Sequence, residues 1–288
     1  MQGHGFSKIL LATDGSNQAE AAIDITAQFA HASSASVRVV HVWSLEVHHR
    51  HGVWDVEIRS EAEHLINDTV RRLHDKDVDA EGTIVRADHA HVASAIAESA
   101  RQMHADLVVV GSRGLSDWQA MMQHSTSHEL LTAIDAPVLI VRGQLGSNGH
   151  AGERVLMAVA GGADVVPAVH AAVAAASAPG SRILAVHVAQ AVIGTQGLAF
   201  VEPEEEIRTT LQRAGDLLRE AGVRAEVKML EPGPVAQTIA DVAASWRADV
   251  IVIGSSRIGD LGSLLLGSVT HSLLRATERP ILVAERPR

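Results

Sequence analysis

Cysteine is absent from the 288 residues, and with it every disulfide and every thiolate metal site. That absence fits a reducing compartment. Tyrosine is absent too, and aromatics make up only 2% of the chain, so alanine, valine, isoleucine and leucine must fill the cores. No apolar run approaches the ~20 residues of a membrane span. The start, MQGHGFSKILLATDGS, lacks a basic opening followed by a long apolar stretch, so no signal peptide is expected and the chain is read as cytoplasmic. Positive charge is short: 24 Lys and Arg face 34 Asp and Glu, a net −10. That argues against a sequence-independent hold on nucleic acid or on an anionic membrane, since both need a positive field. What remains is ordinary for a globular protein, 47% hydrophobic and 20% charged, with enough length for two domains.

The chain is one unit written twice. ILLATDGS at 9–16 resembles VLMAVAGG at 155–162, and VRVVHV at 37–42 resembles ILAVHV at 183–188. ADLVVVGSRG at 105–114 matches ADVIVIGSSR at 248–257, and APVLIVR at 136–142 matches RPILVAE at 279–285. A repeat this long means two duplicated domains rather than a solenoid. GQLGSNGHAG, rich in glycine and without an apolar pattern, lies between them. The expected boundaries are 1–142 for the first domain, 143–152 for a flexible linker and 153–288 for the second domain.

Strands and helices alternate in each half. In the first, Asn17 with Glu20 can form a capping box ahead of a helical face on Ala19, Ala22, Ile23, Thr26 and Ala30. A second helix is spaced on Ala62, Leu65, Ile66, Thr69, Val70 and Leu73. A third runs over Val92, Ile96, Ser99 and Met103. The second half opens helices at Pro203, on Ile207 to Ala221, and at Gly233-Pro234, on Val235 to Trp246. Strands such as LVVVG and VIVIG are apolar throughout, as strands covered on both faces should be. The fold class is therefore α/β: two tandem doubly wound domains, each a five-stranded parallel sheet with helices on both faces. The pattern does not give the strand order, and the common one, 3-2-1-4-5, is expected. In that order ligands bind outside the carboxyl ends of strands one and four, where the order reverses.

Those ends carry Asp14 and the stretch Gly111-Ser-Arg-Gly114. Glycines let backbone N–H groups approach an anion, and a helix start adds free donors. Ser125 and Thr126 can cap that helix or donate hydroxyls to a phosphate. Asp14 only accepts, which suits a base amino group or a ribose hydroxyl. A base half-site beside a phosphate half-site spells a nucleotide, though Asp14-Gly15 could equally just cap the first helix.

ILLATDGS, VVHV and VVVGSRG followed by nine residues and His-Ser-Thr resemble the universal stress protein family in its tandem two-domain form, over nearly the whole chain and twice. The resemblance implies a regulatory, stress-associated protein that binds ATP, with or without Mg. It implies an adenine contact by backbone atoms at Val42 and phosphate contacts at Gly111, Gly114 and Ser125. His124 stands where the family has a third glycine, and obstruction of the phosphates is expected there. In the second half Val188 matches Val42, and Gly254, Gly267 and Ser268 keep their spacing. Ala160 replaces the Asp, and Arg257 replaces a glycine, where it could supply a phosphate-binding cation. Neither site is complete. The rival reading is an interaction module with degenerate, non-binding sites.

No Walker lysine, nucleophile elbow or Ser-His-Asp pattern is visible, so an enzyme is not expected beyond slow nucleotide hydrolysis. The histidines of HHRH (His48, His49, His51), the pair His89 and His91, and His124 with His128 read as solvated or hydrogen-bonded side chains. No metal site is assigned to them. Trp118, Met121 and Met122 in the glycine loop are expected to pack on a neighbouring surface. The expected partners are an adenine nucleotide and an unidentified protein. A homodimer stays open, since no residue argues for it.

Overall fold

The computed structural model describes residues 5–48, 52–55, 59–88, 91–111, 134–142, 150–160, 165–194, 197–254 and 268–284. Residues 6–142 form one compact unit and residues 150–284 lie in another.

The first unit runs β1 (Lys8–Ala12), α1 (Asn17–Ser33), β2 (Ser36–His48), β3 (Gly52–Asp55), α2 (Arg59–His74), β4 (Ala80–Asp88), α3 (Val92–Met103), β5 (Leu107–Gly111) and β6 (Val138–Val141). Its parallel sheet has the order β4-β2-β1-β5-β6, which is 3-2-1-4-5 with β3 set aside. Ile9 to Leu11 and Leu107 to Val110 are buried throughout, so both faces of the sheet centre are covered. The expected helical faces bury Ala19, Ala22, Ile23, Thr26 and Ala30 on α1, and Ala62, Ile66, Thr69 and Leu73 on α2.

The second unit repeats the plan: β7 (Arg154–Ala158), α4 (Val166–Ala175), β8 (Arg182–Val188), β9 (Ala191–Gly194), β10 (Gly197–Phe200), α5 (Glu204–Glu220), β11 (Arg224–Leu230), α6 (Val235–Ser245), β12 (Val250–Ile253), α7 (Ser268–Ala276) and β13 (Ile281–Val283). Its parallel order is β11-β8-β7-β12-β13. Three glutamates, Glu204 to Glu206, occupy the first turn of α5 and Arg219 its last turn, each sign opposite to the local helix dipole.

Two features differ from the sequence reading. First, β2 runs on past its parallel neighbours and pairs antiparallel with β3, Leu45 opposite Asp55 and His48 opposite Gly52. At the same place in the second unit β9 and β10 form an antiparallel hairpin. Second, the N-cap falls one residue before the expected Asn17. The helix begins with Asn17 itself, and the N-cap is Ser16, whose side chain makes no capping bond. The turn is held instead by the Asp14 Oδ1 oxygen, which accepts the Ser16 N–H at 2.9 Å. The chain is packed where the second unit begins. Ala151 is buried, and Gly152 has φ +79° with the Ala175 carbonyl against its Cα.

One repeated aspartate fastens each sheet centre. Asp106, just before β5, accepts the Ser7 and Lys8 N–H groups at 2.8 and 2.9 Å and the Ser7 hydroxyl at 2.5 Å. Asp249, just before β12, accepts the Arg154 N–H at 2.8 Å. Each carboxylate thereby holds the start of the strand beside its own. Among the described residues no helix is long and apolar enough to cross a membrane.

Candidate functional site

In the first unit the strand order reverses between β1 and β5, and Ala12 lies opposite Val110. The chain therefore delivers Thr13 and Asp14 beside Gly111 at the carboxyl edge. On the other flank Ala12 lies opposite Val40, so β2 brings His41 and Val42 to the same edge. Asp14 is exposed and Val42 and Gly111 are half-buried. Gly15, at φ +72°, turns the chain from the strand into α1. At that corner the Ser16 hydroxyl oxygen is buried and, among the described residues, has no hydrogen-bond partner. A buried polar atom without a partner is costly, and a bound ligand is one way to satisfy it.

The second unit presents the same edge with different chemistry. Ala158 lies opposite Val186 on one side and Ile253 on the other, which brings Ala160, Val188 and Gly254 together. Ala160 carries no acceptor, Val188 is buried and Gly254 is exposed. The backbone of α7 starts at Ser268.

A repeated histidine braces both edges. The His41 Nδ1–H donates to the Thr13 carbonyl at 2.9 Å, and the His187 Nδ1–H donates to the Val159 carbonyl at 2.9 Å. A carbonyl can only accept, so Nδ1 bears the proton in each ring. Both rings are buried, at 6% and 3% exposure. Each bond ties the residue that follows β1 or β7 to the neighbouring strand, β2 or β8, just ahead of Asp14 or Ala160. In the second unit His187 Nε2 also meets Glu202 Oε2 at 3.1 Å. That contact is a bond only with a proton between the two acceptors. Without one, both atoms are buried and unsatisfied. Sequence reasoning used these histidines only as markers of the repeat. Their role needed the register, which sets each ring against a carbonyl 28 residues away.

Of the other sequence candidates, Gly114, Trp118, Met121, Met122, His124, Ser125, Thr126, His128, Arg257 and Gly267 lie outside the described residues, as do His49, His51 and His89. Among the described residues no group of three or more His, Cys, Asp or Glu could hold a metal ion. A shallow groove of about 380 Å³, lined by Asp241, Ala244, Ala276 and Arg279 among others, opens between α6 and α7. There Arg279 donates to the Ala248 carbonyl ahead of β12, so the groove lies at the amino end of the sheet, away from the switch point.

The comparisons with known proteins agree with this geometry. The family model for the universal stress protein family matches twice, over residues 5–142 and 152–285. A universal stress protein of Mycolicibacterium smegmatis is 26% identical over 97% of this chain and 97% of its own. One from Thermus aquaticus is 34% identical over 45% of this chain and 96% of its own. The crystal structure of a universal stress protein from Archaeoglobus fulgidus superposes with a TM-score of 0.74 at 19% identity, covering 99% of this chain and 98% of that one. With two matched domains, two switch-point edges and one topology repeated, the chain belongs to the universal stress protein family as a tandem of two domains.

Proposed function

We propose that this protein is a stress-associated regulator, acting in the cytoplasm, that binds ATP or a related adenine nucleotide at the β1/β5 switch point of its first domain. The observation that carries the reading is the meeting of Asp14, Val42 and Gly111 at one carboxyl edge beside the unpartnered Ser16 hydroxyl. These groups suit an adenosine. Asp14 accepts from the base amino group or a ribose hydroxyl, and the backbone at Val42 lies along the base. Gly111 and Gly114 would let main-chain N–H groups approach phosphate oxygens, and Ser125 and Thr126 would add hydroxyls. Mg would join only as a companion of the phosphates. In the second domain Val188, Gly254, Arg257, Gly267 and Ser268 would form the corresponding site, with Arg257 supplying charge in place of a glycine. Solved family members include one in complex with cAMP and one from Archaeoglobus fulgidus in complex with dAMP. What those chains hold is their own property.

Calorimetric titration of the full chain with ATP tests this. Asp14→Ala should weaken binding by roughly 1.5–3 kcal/mol, the value of a hydrogen bond to a charged group. Asp14→Asn keeps an acceptor for the Ser16 N–H and so separates loss of the turn from loss of the carboxylate. Unchanged affinity in both variants would remove Asp14 from the site. Ala160, with no side-chain acceptor, makes the second domain's site the weaker of the two; a second domain that takes up no ATP would be the alternative reading, a degenerate site that acts through its surface. Absence of any ATP uptake by the full chain would extend that reading to the whole protein.

A further inference from the structure

We propose that β11 is a self-pairing edge, through which two copies of this chain join antiparallel about a two-fold axis at Val227. Among the described residues β11 is the last strand on its side of the second domain's sheet, bordered only by β8. Arg224 to Met229 are all exposed, and only Leu230 is buried. Two of the three large exposed hydrophobics among the described residues sit here, Val227 at 46% and Met229 at 42%. The Leu230 carbonyl accepts the Ala189 N–H, so the even-numbered residues direct their main-chain groups toward β8. By alternation Ala225, Val227 and Met229 direct theirs outward, where no described strand meets them. Such a row is a template for another strand.

The charges choose the strand. Arg224, Glu226 and Lys228 share one face, and none has an ion-pair partner among the described residues. A two-fold axis normal to the sheet keeps each face on its own side, so only centres on a residue are allowed. A centre at Glu226 sets that residue against its own copy and Arg224 against Lys228. A centre at Lys228 sets lysine against lysine. A centre at Val227 sets Glu226 against Lys228 twice, at the closer-spaced, non-hydrogen-bonded positions. On the other face it sets Val227 against its own copy and Met229 against the small Ala225, covering both exposed apolar side chains. The outward main-chain groups of residues 225, 227 and 229 then form about six inter-chain hydrogen bonds. A centre at Ala225 also matches charge, Arg224 on Glu226, but it leaves Met229 beyond the paired stretch. A second copy of the chain is thus the occupant whose charges are already written to fit.

Sedimentation equilibrium of the full-length protein over about a hundredfold range of concentration tests this. The wild type should show a monomer–dimer equilibrium. Glu226→Lys and Lys228→Glu alone should each raise the dimer dissociation constant at least about tenfold. The two together should restore it, because the swapped charges still face each other. In the Ala225-centred register the Glu226→Lys change would set a lysine against Arg224, and the double variant would not recover. The absence of cysteine allows a second readout. Val227→Cys should cross-link to its own copy under mild oxidation, its Cα atoms about 5.5 Å apart, whereas Met229→Cys should not. A wild type monomeric throughout, a dimer indifferent to the single reversals, or no cross-link at residue 227 would overturn the proposal. An edge that takes an extended segment of another protein instead would give the monomer outcome.

Discussion

Asp106 and Asp249 do the same work, yet only Asp249 is sealed in, at 1% exposure. Burial raises its pKa above the ordinary 3.8, the Arg154 N–H bond lowers it by less, and the neighbouring Glu153 charge adds to the rise. A raised folded value means that the native state holds this proton more tightly than the unfolded chain does. The stability from Asp249 is therefore fully present below the unfolded value and is lost as pH rises through the folded one. Asp249→Asn keeps an acceptor for the Arg154 N–H without the buried charge. It should gain on the wild type in urea denaturation as pH is raised from about 4 to 7. A difference that stays flat with pH would mean that burial does not perturb this carboxyl. Asp249→Ala should cost about 1–3 kcal/mol, more than the Asn variant, because it leaves that N–H unsatisfied. The sequence shows Asp249 only as part of a repeated Ala-Asp. Its partner lies 95 residues away, and no local pattern encodes that distance.

At the scale of elements, periodicity carried most of the fold. Helix faces and apolar strands follow from local spacing, so the alternating α/β plan was legible; the 3-2-1-4-5 order came only as the common one for such folds. The antiparallel β3 and the β9–β10 hairpin were not. GVWD at 52–55 and AVIG at 191–194 carry no strand signal of their own, because pairing rather than propensity makes them strands. The ends of α1 and α3 were blurred for a related reason: Ser34 and His104 take the left-handed conformation there, at φ 55° and 53°, where glycine would have marked the stop. Of the candidate site, the strand-end residues Asp14, Val42 and Gly111 were legible as motif. The Ser16 hydroxyl and the histidine braces were not, since they depend on which strands become neighbours. Two glycines with positive φ separate conformation from packing. Gly152→Ala places a Cβ 2.2 Å from the Ala175 carbonyl at φ +79°, whereas at Gly222, φ +74°, a Cβ meets nothing within 4 Å. Thermal melts should show a cost of about 1 kcal/mol at residue 222 and at least about 3 at residue 152. Equal losses would mean that the entry to β7 yields to the clash.

For the whole molecule, the duplication has left two edges of one shape and unequal chemistry, with Asp14 in one and Ala160 in the other. Titration of the full chain with ATP should therefore resolve two classes of site, and Asp14→Ala should weaken only the tighter one. A single class that Asp14→Ala abolishes would leave the second domain without a ligand of its own. The placement of β1 also governs how the chain is made. β1 is synthesised before the other strands of its sheet, yet it ends at the middle, and its Asp106 fastening lies 98 to 99 residues downstream. At about 5–20 residues per second a ribosome takes roughly 5–20 s to supply that partner. Throughout that interval Ile9, Leu10 and Leu11 can pair with β2 on one side and must wait on the other. β5 is complete at Gly111, before β7 begins at Arg154, so the first half meets its own partner before the look-alike strands of the second half exist. Translation order thereby keeps two near-copies of one sheet from exchanging strands during birth.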